Sequence, residues 1–215
     1  FKLVMNCEIS QRKAQVALGV PKELDRTQMA EVCLEREEHR IPPTVVDKKD
    51  APIKEGIMVG KDVDIFKIPV MRHHYMDGGP YIVLSTITKD RKSGIYNCSY
   101  HRMEVKTKNT TALYASPRHL WKSFRDHEEN NLECPVATVL GHHPAFHMGA
   151  CYSGPFEVSE FDIIGGYFQE PLRLTPSETW GDDFLIPADA EIVIEGALIP
   201  KKRVVEGPFG EAPGY

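Results

Sequence analysis

The hexapeptide Glu206-Gly207-Pro208-Phe209-Gly210-Glu211 sets two carboxylates at the ends of a four-residue turn. Carboxylates held close together push their pKa values apart, so one can act as acid and the other as base. Its glycines let the backbone approach a ligand, and Phe209 is an odd choice for a solvated turn tip. A second segment, Asn97-Cys98-Ser99-Tyr100-His101-Arg102, offers an amide oxygen and a guanidinium five residues apart. In an unbroken strand such positions point to opposite faces. Either a bulge lies between Asn97 and Arg102, or they serve opposite sides of a large ligand. His119 and Glu160 stand alone further along. An Asn oxygen, a His nitrogen and a Glu oxygen together make a shell suited to Mn²⁺ or Mg²⁺, with positions left for phosphate and water.

Each of these residues also fits a plain structural role. Gly-Pro pairs mark surface turns. Asn97 to Arg102 could be the polar outer face of a strand, and a lone histidine is commonly a satisfied side chain. A carboxylate at a helix start is favoured by the helix dipole anyway. His73-His74, His142-His143 and His147 raise the idea of zinc, but no HExxH or Cys/His spacing accompanies them. Lys201-Lys202-Arg203 reads as a solvated turn. GxSxG, Walker and GxGxxG patterns are absent from the sequence.

The elements that must position these groups follow from local signals. Residues 10–18 read as a helix capped by Ser10 and ended by Gly19. A second helix is expected from Thr27 to His39, with Met29, Val32, Cys33 and Arg36 on one face. Ile41-Pro42-Pro43 breaks it. Short apolar runs fill 44–70, and a turn-rich stretch follows from Arg72 to Pro80. Tyr81–Thr88 and Ile95–Lys106 read as the strands of a hairpin. Ser116-Pro117 reads as a helix start, making His119 the third helical residue. Val136–Leu140 and Ile192–Ile199 read as strands. Ser159 to Asp162 opens a helix in capping-box style, which Gly165-Gly166 weakens or ends. The sum is α+β: a helical lead-in, then an antiparallel β domain with inserted helices.

The chain has 215 residues, 26 basic and 31 acidic side chains, and a net charge of −5. That length suits one domain plus an appendage, or two small ones. An apolar share of 41% supports a packed core and argues against disorder. The longest apolar run, Tyr81 to Ile87, is too short to span a bilayer. A mildly acidic chain has no general attraction for nucleic acid. Five scattered cysteines without a CxxC point to reduced thiols and a cytoplasmic setting. A start at Phe1 and a stop just after the acidic motif suggest a fragment.

Taken together, the motifs resemble the UbiD-like decarboxylases, which include ferulic acid and hydroxyarylic acid decarboxylases. EGPFGE, continued as Ala212-Pro213-Gly214-Tyr215, resembles the family's acidic signature. Asn97 followed by Arg102 and Met103-Glu104-Val105 resembles its metal-and-arginine strand, with His119 and Glu160 in order behind it. The resemblance implies a split β-barrel flavin-binding domain over 44–215, preceded by part of an N-terminal α/β domain over 1–43. It implies prenylated FMN made by a UbiX-type prenyltransferase. Asn97, His119 and Glu160 would hold Mn²⁺ (or Mg²⁺) against the cofactor phosphate, with K⁺ beside it. Asn97, Cys98, Ser99, Arg102, His119 and Glu160 would contact the cofactor. Arg102, Glu206 and Glu211 would be catalytic, with Glu211 the proton donor and Glu206 the partner of Arg102.

The reaction implied is reversible, non-oxidative decarboxylation of an aromatic or α,β-unsaturated acid through a covalent adduct with the cofactor. Family chains are about twice this long, so a homo-oligomer or a partner chain would supply the missing regions. Two other readings remain open. One is an FMN-binding split-barrel protein without decarboxylase activity. The other is a non-catalytic subunit of a multi-chain enzyme.

Overall fold

The computed structural model describes residues 10–211 and Gly214. Cys7, and Ala212, Pro213 and Tyr215 of the acidic motif's continuation, lie outside the described residues. The first helix, α1 (Gln11–Leu18), is bounded as its sequence dictates. The Ser10 hydroxyl accepts from the Lys13 N–H, and Gly19 closes the helix at φ 64°. In α2 (Arg26–Glu38), Asp25 and Gln28 form a reciprocal capping box. These two helices share a core with α4 (Pro144–Gly149) and α5 (Glu160–Phe168). Leu18, Met29, Ala145, Ile163 and Tyr167 are buried together there. Arg36 ties the layer, donating to the Leu18 and Tyr167 carbonyls at 2.7 Å each.

The principal sheet has five antiparallel strands and curls into a half-barrel. Its order is β4 (Thr110–Leu113), β3 (Tyr96–Thr107), β2 (Tyr81–Lys89), β5 (Cys134–Leu140) and β8 (Ile192–Leu198). A second sheet joins β1 (Thr44–Val45), β6 (Arg173–Ser177) and β7 (Gly181–Pro187). Four short 3₁₀ turns lie on the path from β1 to β2. One face of the β2–β3 hairpin carries Ile87 and Cys98 into the largest core, with Phe146, Phe161 and Phe184. Burying each of those rings stabilises the fold by about 1.5–3 kcal/mol. The opposite face sends Ile82, Met103 and Val105 into a smaller cluster with Ile65.

The α+β class agrees with the sequence reading, and four local features differ from it. The helix expected from Pro117, α3, begins instead at His119 and runs to Glu129. The Arg118 N–H turns back to the Ser116 carbonyl at 2.7 Å. That turn takes residues 116–118 out of the helix, so His119 is its first residue and Ser116 caps nothing. Gly165-Gly166 does not end α5. A Cβ on Gly165 would lie 2.2 Å from the Ile41 carbonyl oxygen, and one on Gly166 would lie 2.2 Å from that of Arg36. The glycines let α2 and its exit cross α5 closely. The β domain is not wholly antiparallel, because β1 pairs with β6 in parallel. Finally, α4, β1, β4, β6 and β7 carried no recognised signal: α4 is six residues long, β1 two and β4 four, β6 contains Pro176, and β7 opens on Gly181-Asp182-Asp183.

Candidate active site

Strand β3 pairs with β2 without interruption from Tyr96 to Glu104. No bulge separates Asn97 from Arg102, so the two side chains leave opposite faces of the strand. Asn97, Ser99 and His101 share one face. Cys98, Tyr100, Arg102 and Glu104 share the other.

On the first face, Asn97 meets the first residue of α5. Ser159 caps that helix by accepting from the Phe161 N–H, which fixes Glu160 at its start. The Asn97 amide donates to Glu160 Oε1 at 3.0 Å, and the Cys98 N–H donates to Oε2 at 3.0 Å. His119 Nδ1 lies 3.7 Å from Glu160 Oε1, and Ser99 Oγ lies 3.0 Å from Asn97 Oδ1. Glu160 is 2% exposed. Burial pushes its carboxyl up to about 7, against the N–H donors that favour the charged form. Burial, with Lys122 nearby, pushes His119 down and keeps it neutral, so it does not balance that carboxylate. Thr88 stands directly opposite Asn97, and its buried hydroxyl has no partner. A buried carboxylate short of positive charge, beside a neutral imidazole and an amide oxygen, fits a hard divalent cation. Among the described residues, no cluster of three or more His, Cys, Asp or Glu side chains could hold a metal ion, and this group contributes only two such side chains, His119 and Glu160.

On the second face, Arg102 gathers both ends of the acidic hexapeptide. Its Nη2 donates to Glu206 Oε2 at 3.1 Å, and its Nη1 donates to Glu211 Oε1 at 2.5 Å. Its Nε lies 3.1 Å from Glu206 Oε1 but is poorly aligned for a hydrogen bond. Burial opposes the guanidinium charge, and the two carboxylates outweigh it, raising the Arg102 pKa. The Glu206 side chain is 11% exposed and that of Glu211 is 49% exposed. Tyr81 donates to Glu206 Oε1 at 2.9 Å, and its hydroxyl also lies 3.3 Å from Glu104 Oε2. The Phe209 ring packs on Tyr81 at 4.4 Å, and Arg102 lies between Phe209 and the Tyr114 ring, 5.2 and 4.5 Å away. Arg102, Glu206, Pro208, Phe209 and Glu211 line an open cleft of about 340 Å³.

The structure therefore gathers Asn97, His119 and Glu160 in one group and Arg102, Glu206 and Glu211 in another. Ser99 joins the first group. The Cys98 thiol does not: it is fully buried in the core, and Cys98 offers the site only its backbone N–H. The hexapeptide is not a free surface turn. Sequence reasoning missed Tyr81, Glu104, Lys106 and Asp77. Lys106 pairs with Glu104 at 2.7 Å, and the Gly207 N–H donates to Glu104 at 3.0 Å. The alternation of Arg102 with Glu104 along β3 was the available signal for Glu104. Of the other histidines that raised the idea of zinc, His142 stacks on Phe146, His143 caps α4, His147 meets Ser85 and the His73 ring meets Phe209 edge-on at 6.3 Å. Lys201 and Lys202 are exposed as expected, while Arg203 anchors the turn to Glu128 on α3 at 2.8 Å.

The family model described as UbiD, 3-octaprenyl-4-hydroxybenzoate carboxy-lyase Rift-related domain, matches residues 44–215. The chain belongs to the UbiD family. A phenolic acid decarboxylase of Sedimentibacter hydroxybenzoicus is 30% identical over all of this chain and 46% of its own length. An anhydromevalonate phosphate decarboxylase of Methanothermobacter thermautotrophicus is 31% identical over 80% of this chain and 41% of its own. This UbiD-family chain thus spans about half the length of the curated relatives it matches. Among solved structures, the UbiD-class enzyme HmfF from Pelotomaculum thermopropionicum in complex with FMN is 36% identical, with a TM-score of 0.88. That match covers 96% of this chain and 45% of the other. An evolved dimeric form of HmfF, in complex with prFMN, also superposes at 0.88, with 35% identity over 96% of this chain and 47% of the other.

Proposed function

We propose that this UbiD-family chain is the cofactor-binding and catalytic portion of a carboxy-lyase. It acts on an aromatic or α,β-unsaturated acid, with prenylated FMN from a UbiX-type prenyltransferase, in the cytoplasm. The observation that carries the reading is one guanidinium, Arg102, shared by two carboxylates of unequal burial and pairing. The balance is RCO₂⁻ + H⁺ → RH + CO₂, so the protein must hold an anion and return a proton. When bound, prenylated FMN supplies the electron sink that lets CO₂ leave an sp² carbon. Asn97, His119 and Glu160 would hold Mn²⁺ or Mg²⁺ near the cofactor phosphate, with K⁺ beside it. The donor set and the charge-deficient pocket around Glu160 support this.

Arg102 orients the acid by charge-assisted hydrogen bonds. Glu206 is held in place by Arg102 and by Tyr81. Glu211 has a single guanidinium contact and a half-exposed side chain. It exchanges protons with solvent and returns one to the carbon that loses CO₂. Residues 44–215 form the catalytic unit, and 1–43 belong to an N-terminal unit of the whole protein. Assembly as a homo-oligomer or with a partner chain covers the open cleft.

The test is co-expression with a prenyltransferase. The bound flavin is then characterised by absorption and mass, and CO₂ is measured from a panel of aryl and acrylic acids. Modified flavin with CO₂ release is expected. Unmodified FMN, or none, with no CO₂ from any acid would overturn the reading and favour a plain flavin-binding or non-catalytic role.

A further inference from the structure

We propose that Asp77 and Glu104 are positioning residues, gripping the backbone of the acidic loop so that Glu206 and Glu211 stay on Arg102. The inference rests on the reading of those three residues as the catalytic network. The loop from Glu206 to Gly210 belongs to no helix or strand, so its N–H groups need other acceptors. Two of them go to carboxylates. The Gly207 N–H donates to Glu104 Oε2 at 3.0 Å, and the Gly210 N–H donates to Asp77 Oδ1 at 2.8 Å. Each grip lies one residue from a catalytic acid: Gly207 follows Glu206, and Gly210 precedes Glu211.

Both acceptors are set firmly. Asp77 is 0% exposed and Glu104 is 3% exposed. The second Asp77 oxygen accepts from the His74 N–H at 2.8 Å, and Arg72 donates to the Asp77 carbonyl at 2.5 Å. Burial alone would raise the Asp77 carboxyl, yet the Gly210 and His74 N–H groups outweigh it and hold it below the usual range. Its charge is thus spent on backbone donors. Glu104 is fixed by Lys106 and by Tyr81, which also reaches Glu206. The two loops are in direct contact. The Gly78 N–H donates to the Pro208 carbonyl at 2.7 Å, and a Cβ on Gly78 would lie 2.5 Å from the Gly207 carbonyl oxygen. The Arg72–Pro80 stretch is therefore a cradle for the acidic loop.

The test compares Asp77→Asn, which keeps the shape but replaces one acceptor with a donor, and Asp77→Ala with the unaltered chain. Glu195→Gln serves as a control, since Glu195 accepts the Glu178 and Thr179 N–H groups remote from the cradle. Two readouts need no cofactor: amide exchange at Gly210 and the Arg102 Nε–H resonance. In either Asp77 variant, exchange at Gly210 should rise about tenfold or more above that of distant amides, the Arg102 resonance should move, and Tm should fall by several degrees as buried N–H groups lose their acceptor. The control should change neither readout. In the flavin-loaded enzyme, kcat should fall about 100-fold with KM little changed. An unchanged Gly210 amide and Arg102 resonance, or a uniform rise at all amides, would overturn the proposal. Failure of the unaltered enzyme to turn over any acid would overturn the functional reading, while exchange and resonance would still decide the grip.

Discussion

At the scale of the residue, the two acids of the hexapeptide are not equivalent. Glu206 is enclosed by Arg102 and Tyr81, while Glu211 meets Arg102 once and faces solvent. Glu211→Gln should retain flavin and lose turnover by about 10²–10⁴-fold, together with hydrogen–deuterium exchange into the substrate. Flavin absorption and isotope exchange measured on one preparation check this, and full activity would remove Glu211 from the proton step. Glu160 offers a second test. Its carboxyl is raised to about 7 by burial, so the folded chain prefers the protonated form. That preference stabilises the metal-free chain fully below about pH 4.5 and is lost as pH rises through about 7. The loss is on the order of 3 kcal/mol. Urea midpoints of the metal-free chain should fall between pH 5 and pH 8, and Glu160→Gln should flatten that slope.

At the scale of the element, β3 does the central positioning. Its unbroken register sends alternate residues to two faces, so one strand serves two groups of side chains. This settles the choice left open by the five-residue spacing: the groups lie on opposite faces, without a bulge. The helices show where local signals suffice. Ser10, Asp25 and Ser159 cap their helices because a side-chain oxygen meets the first free N–H groups, and that chemistry is local. Gly165-Gly166 shows where they fail. Read locally, the pair breaks a helix; in the fold, it makes room for the carbonyls of Arg36 and Ile41. Gly165→Ala should therefore destabilise the fold by about 1–3 kcal/mol, although alanine is the better helix former. A lowered urea midpoint would check this, and a raised one would show that propensity outweighs the close approach.

At the scale of the whole molecule, helices α1 and α2 and the sheet domain meet around α4 and α5, and no described helix is long and apolar enough to cross a membrane. The site of Asn97, His119 and Glu160 draws on β3, α3 and α5, elements far apart in sequence. A divalent ion there would join those elements. Adding Mn²⁺ should raise Tm and chelation should lower it, while His119→Ala and Glu160→Gln should abolish the response. A response that persists in both variants would place the ion elsewhere.

The α+β class, the β2–β3 hairpin, the limits of α1 and α2 and the start of α5 were legible in the sequence. These follow from caps, β-formers and turn residues acting within a few positions. Its motifs also singled out all six residues of the two groups. Only the tertiary structure decided which residues join them. Asp77, Glu104 and Tyr81 are ordinary in type and distant in sequence, and they matter because loop closure brings buried carboxylates to otherwise unpaired N–H groups. The hexapeptide read alone is a plausible solvated turn. It is a held loop because Arg102 draws its two ends together while Asp77 and Glu104 take the N–H groups between them. The cause is long-range pairing of charge and backbone dipoles, which no local sequence window contains.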